Sequence, residues 1–100
     1  MLDRLAMINQ RFQELGEAMS KPEVAADYTK MQTLGRERAG LEVIVELSVR
    51  YRAVLSQSED AKAMLQEETD ADLRAMAQED LDELQAERAN LETEIQIALI

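Results

Sequence analysis

The chain opens with apolar side chains at alternating steps of three and four. Leu5, Ile8, Phe12, Leu15 and Met19 line one face of a helix, which predicts an element over about residues 2–19. Ser20-Lys21-Pro22-Glu23 ends it, because proline has no amide hydrogen and turns the preceding residue away from helical geometry. Pro22 is placed to open a short helical turn through Ala26. Asp27 then has the position of an N-cap, its carboxylate able to accept from orphan amides of the next turn. A second helix of about residues 28–66 follows. Its stripe runs Met31, Leu34, Leu41, Ile44 or Val45, Ser48, Tyr51 or Arg52, Leu55, and Met64 or Leu65, near a heptad spacing. Gly35 and Gly40 interrupt this helix at about 1 kcal/mol each relative to alanine, so a bend there is allowed for. Glu67-Glu68-Thr69-Asp70 is the one plausible turn in the second half, with Asp70, or Thr69 together with Asp72, as cap. A third long helix, about residues 71–99, carries Leu73, Ala77, Leu81, Leu84, Leu91, Ile95 and Ala98 on its stripe. Arg88 falls on the same stripe. Its long stem can pack while the guanidinium reaches solvent or an acid on the facing helix, a device for register.

Long helices joined by a short turn fold back on each other. The expected architecture is therefore all-α: a single helical domain over residues 1–100, an elongated antiparallel three-helix arm built on a long, coiled-coil-like helical hairpin, with the first helix covering the remaining apolar face. The end at Leu99-Ile100 has neither a capping glycine nor a polar tail, so the chain is expected to be a fragment of a longer multidomain protein.

Composition narrows the picture further. Of 100 residues 46% are apolar, but many are alanine and the aromatics are only Phe12, Tyr28 and Tyr51. Buried surface must then come from Leu, Ile, Met and Val on narrow stripes. Three glycines and one proline are too little punctuation for the turns of a sandwich or barrel. With no cysteine there is no disulfide framework, thiolate metal site or thiol nucleophile. No apolar run approaches the ~20 residues of a membrane span, and Asp3, Arg4 and Arg11 break the start of the chain, so a cytoplasmic protein is expected.

The net charge of −10 is unevenly placed. Residues 1–58 hold eight basic and eight acidic side chains; residues 59–100 hold Lys62, Arg74 and Arg88 against thirteen acids, 3 − 13 = −10, the whole imbalance. That half should repel phosphate backbones and favour a basic protein partner. Direct nucleic-acid binding by this domain is not expected.

Candidate chemistry is sparse. There is no histidine, no glycine-rich phosphate loop and no Gly-x-Ser-x-Gly elbow, and every carboxylate falls in a charge-rich stretch expected to be solvated, where burial does not raise its pKa. Catalysis is not expected, and no catalytic, cofactor-binding or metal-ligating residue is assigned. Glu79, Asp80, Glu83 and Glu87 share a helix face or two adjacent faces, yet they lack both the loop glycine of calcium sites and the Glu-x-x-His of helical di-iron sites. A solvated face is the expectation, with the solvent-facing acids of this helix as the candidates for partner contact. Met7, Met19, Met31, Met64 and Met76 coincide with or flank the core stripes, so they are expected to fill the core rather than form an adaptable binding surface.

Three stretches taken in order carry a resemblance: the opening MLDRLAMINQRFQELGEAMSKPEVAADYTKMQTLGRERAGLE, the segment DADLRAMAQEDLDELQ after the acidic turn, and the closing LETEIQIALI. Together they resemble the N-terminal helical domain of the bacterial class I peptide chain release factors. Leu2-Asp3-Arg4-Leu5 and the DLRAMAQEDLDEL segment look closer to the first type of that family than to the second. Val43 and Ala71 stand where that family often has proline, changes that ease helix continuity or remove a preorganised first turn. The resemblance implies a cytoplasmic factor that recognises stop codons on the ribosome and triggers peptidyl-tRNA hydrolysis. It implies that this domain projects towards the base of the large-subunit stalk, near the docking place of translational GTPases. The family's Gly-Gly-Gln tripeptide has no counterpart, since no two glycines are adjacent here, and its codon-reading tripeptide lies in later domains. The competing reading is a free-standing acidic coiled-coil adaptor. A carboxylate-rich metal-dependent enzyme is a third, which would require tight stoichiometric metal binding.

Overall fold

The computed structural model describes all residues, Met1–Ile100, and they form four helices and no strands: α1 (Leu2–Met19), α2 (Pro22–Ala25), α3 (Tyr28–Glu67) and α4 (Ala71–Ala98). The protein is all-α. The chain folds as two compact units, Met1–Glu46 and Leu47–Ile100, and α3 contributes residues to each.

In the first unit α1 stops at Ser20, whose hydroxyl donates to the Glu17 carbonyl at 2.7 Å and so satisfies one of the carbonyls that a helix end leaves free. Lys21 is extended, as the residue before proline must be, and Pro22 opens α2 at a position where its missing amide is not needed. The Asp27 carboxylate accepts from the Lys30 amide at 3.1 Å, the capping contact that starts α3. Along α1 the expected stripe is the covered one, with Leu5 and Leu15 buried and Ile8, Phe12 and Met19 half-buried.

The first turns of α3 are tied to α1 by two arginines. Arg11 on α1 makes a forked pair with Glu37, its Nε donating to Oε1 at 2.9 Å and its Nη2 to Oε2 at 2.7 Å. The Arg38 guanidinium carbon on α3 lies over the Phe12 ring, 3.7 Å from its centroid, and its Nε donates to the Phe12 carbonyl at 3.1 Å. This approach is open because Gly16 has no side chain: a Cβ there would stand 3.1 Å from Arg38 Nε and Nη2. α3 runs through Gly35 and Gly40 as one uninterrupted helix.

In the second unit α3 and α4 run antiparallel, since Tyr51 reaches Glu92 while Arg74 reaches back to Leu65. The turn between them is closed from both sides. Glu68 Oε1 accepts from the amides of Thr69 and Asp70, both at 3.0 Å, and Asp70 Oδ1 accepts from those of Asp72 and Leu73, both at 3.0 Å, so Asp70 rather than Thr69 is the cap. Arg74 then donates to the carbonyl of Leu65 and, at 3.1 Å, to that of Glu68.

The core of this unit is Leu47, Ser48, Tyr51, Val54, Ser58 and Ala61 from α3 with Ala77, Leu81, Leu91 and Ile95 from α4. Two expectations need correction. Leu73, placed on the α4 stripe, is 46% exposed, because it lies in the first turn beside the polar turn. Met7, Met64 and Met76 are 72%, 50% and 62% exposed, so they do not fill the core; Met19 and Met31 are half-buried. Arg88 is exposed to solvent, one of the two placements expected for it, and its Nε donates to Glu92 on its own helix at 3.4 Å.

Candidate functional site

The acids of α4 are the residues singled out above for partner contact, and three of them border a groove. Asp80, Glu83, Leu84 and Glu87 of α4, with Ala77 beneath, face Gln57, Asp60, Ala61 and Met64 of α3 around an open cleft of about 470 Å³. Its floor follows from side-chain size. Ala61 and Ala77 are both buried and both line the cleft, and two side chains as small as a methyl group leave space there that larger residues would fill. Glu79, grouped with these acids by spacing, is exposed and does not line the cleft.

Asp60, Asp80, Glu83 and Glu87 make no ion pair, and no cation lines the groove. The three cations of residues 59–100 are engaged elsewhere. Lys62 lies 3.5 Å from Glu59, Arg74 is held in the turn, and Arg88 is beside Glu92. The groove therefore presents unneutralised negative charge around a partly apolar floor. Its carboxylates do not converge, and no group of three or more acidic side chains is placed to hold a metal ion.

Farther along the same hairpin the Tyr51 hydroxyl donates to Glu92 Oε2 at 2.7 Å. That bond holds the Glu92 carboxyl below the usual range, with help from Arg88. Burial first, then the bond to Glu92, pushes the Tyr51 phenol up. The Tyr51–Glu92 bond ties the two helices together, Arg88 supports Glu92 from within α4, and none of the three lines the cleft.

Spacing on α4 found Asp80, Glu83 and Glu87; Gln57, Asp60 and Ala61 on α3 were missed. No signal in the sequence marked them, since position 61 lies outside the expected α3 stripe and only the fold sets Ala61 beside Ala77 at the cleft. No helix is long and apolar enough to cross a membrane.

Comparison with known proteins shows what this arrangement belongs to. Residues 8–100 match the family model described as the PCRF domain. The chain is 42% identical over 100 residues to peptide chain release factor 1 of Bacillus licheniformis, 39% to that of Bacillus subtilis and 34% to that of Halalkalibacterium halodurans. Each alignment covers 100% of this chain and 28% of the relative, so the chain spans little more than a quarter of the length of the curated relatives it matches. No solved structure gives a significant match. With a family model matched over all but its first seven residues, the chain belongs to the PCRF domain family of peptide chain release factors.

Proposed function

We propose that this chain is the N-terminal docking domain of a cytoplasmic peptide chain release factor and that it performs no catalysis itself. The parent would direct stop-codon-dependent termination on the ribosome by triggering peptidyl-tRNA hydrolysis, and this domain would supply contacts on the side of the stalk base and the translational GTPase. The observation that carries this reading is the collinear match to release factor 1 relatives along the whole chain. Its chemistry supports the division of labour. The chain has neither histidine nor cysteine, and its unpaired acids border a groove suited to a protein rather than to phosphates. Membership of the PCRF family disfavours the free-standing adaptor.

Co-sedimentation with large ribosomal subunits tests the proposal. The chain should be retained by subunits with a complete stalk base and released when the stalk-base protein is stripped. Retention independent of the stalk base would move the contact elsewhere, and no retention would overturn docking by this domain.

A further inference from the structure

The groove of the second unit has a shape and a charge that together specify an occupant. Along α4, Asp80, Glu83 and Glu87 stand at steps of three and four, so they rise together on one side of the helix over roughly two turns, about 10 Å. Asp60 faces them from α3. Between these walls lie the methyl groups of Ala61 and Ala77, the half-buried Leu84, and Met64, which is half exposed. A thioether on an unbranched chain reshapes easily around an incoming apolar side chain. At about 470 Å³ the cleft lies in the range of clefts that hold ligands.

Resting on the docking reading, we infer that this groove receives a cationic amphipathic helix of a protein partner. Lysine or arginine at positions i, i+3 or i+4 and i+7 of that helix meets Asp80, Glu83 and Glu87, and one apolar side chain seats over Ala61 and Ala77. The register is common to both partners, because a helix laid along α4 repeats its own side chains at the same interval. A nucleic acid is rejected by the four carboxylates, which would face phosphates with no cation between them.

The probe is a synthetic fourteen-residue helix with leucine on one face and lysines flanking it, titrated into the isotope-labelled 100-residue chain and followed by amide chemical shifts. The expected result is saturable binding, with the largest shifts at Gln57, Ala61, Met64, Ala77 and Leu84. Glu83→Lys with Glu87→Lys should weaken it by about tenfold or more, whereas Glu79→Lys with Glu94→Lys, which changes net charge equally but lies outside the groove lining, should change it by less than about threefold. Three outcomes overturn the inference: equal weakening by both double variants, unchanged binding when the leucines of the probe are replaced by serine, or the same shifts produced by a single-stranded RNA. If the groove fails this test while the chain is still retained by ribosomal subunits, the docking reading stands and its contact lies on another surface.

Discussion

Tyr51 and Glu92 are joined across the α3–α4 hairpin by a 2.7 Å hydrogen bond from a phenol that is itself buried to all but 3%. The ring belongs to the core and the hydroxyl belongs to the register: a slip of one helical turn in either helix would strand a donor in an apolar interior. Tyr51→Phe keeps the ring and removes the donor. It should destabilise the chain by about 1–2 kcal/mol, read as a fall in Tm of about 4–8 °C for each kcal/mol.

The same pair gives stability a pH dependence at both ends. Glu92 is held below the ordinary carboxylate range, first by the Tyr51 hydroxyl, so its contribution is present above its unfolded pKa and is lost as pH falls through its depressed value. Tyr51 is raised, first by burial, so its contribution is present below its unfolded value of about 10 and is lost as pH rises through the raised one. Urea midpoints measured from acid to alkaline pH should fall at both extremes. In Tyr51→Phe the alkaline fall should shrink and the acid fall should become shallower.

Gly16 and Gly40 are both helical glycines, yet alanine should act differently at each. At Gly40 a Cβ meets nothing within 4 Å, so Gly40→Ala should stabilise by about 0.5–1 kcal/mol through helix propensity. At Gly16 the Cβ presses on the Arg38 guanidinium, which is held by the Phe12 ring and carbonyl, so Gly16→Ala should gain less or lose stability. In an Arg38→Ala background the two substitutions should become alike, which thermal melts of the four variants would show.

Arg74 closes the α3–α4 turn by donating to carbonyls at the end of α3. Arg74→Ala should cost about 1 kcal/mol and raise amide exchange over residues 66–73 more than elsewhere. Asp70→Ala, which removes the cap for the Asp72 and Leu73 amides, should cost about as much. A uniform rise in exchange along both helices would contradict this account of the turn.

Ser58 Oγ is buried without a hydrogen-bond partner. Ser58→Ala removes that desolvated group at almost unchanged volume, so the expected outcome is neutral stability or a gain of up to about 1 kcal/mol in urea denaturation.

Much of this fold was legible because its signals are local. Asp27 and Asp70 sit where a carboxylate can reach the next turn's amides, and Pro22 can only interrupt or start a helix, so the helix starts followed from single residues. The α1 stripe was equally plain, with leucine, isoleucine and phenylalanine spaced three and four apart. Less could be read along α3, where Leu47, Val54, Ser58 and Ala61 are buried beside the expected Ser48 and Tyr51. These positions form one heptad stripe, but serine and alanine carry almost no hydropathy signal, so the stripe is faint in the sequence. The exposed Met64 and Met76 were misplaced because methionine suits a core and an adaptable surface equally well. The groove was half visible for the same reason: the acids on α4 announce themselves by charge, but the cleft depends on Ala61 and Ala77 both lining it, which is a tertiary fact.

The central claim is that this chain docks and does not catalyse. In the parent factor proposed above, residues 1–100 can be deleted and two rates compared on the same termination complexes: single-turnover peptidyl-tRNA hydrolysis at saturating factor, and multiple-turnover release. The account predicts that multiple turnover falls by about tenfold or more while the saturated single-turnover rate changes by less than about threefold. Equal loss of both rates would contradict it, because the chain would then be needed for the hydrolytic step itself.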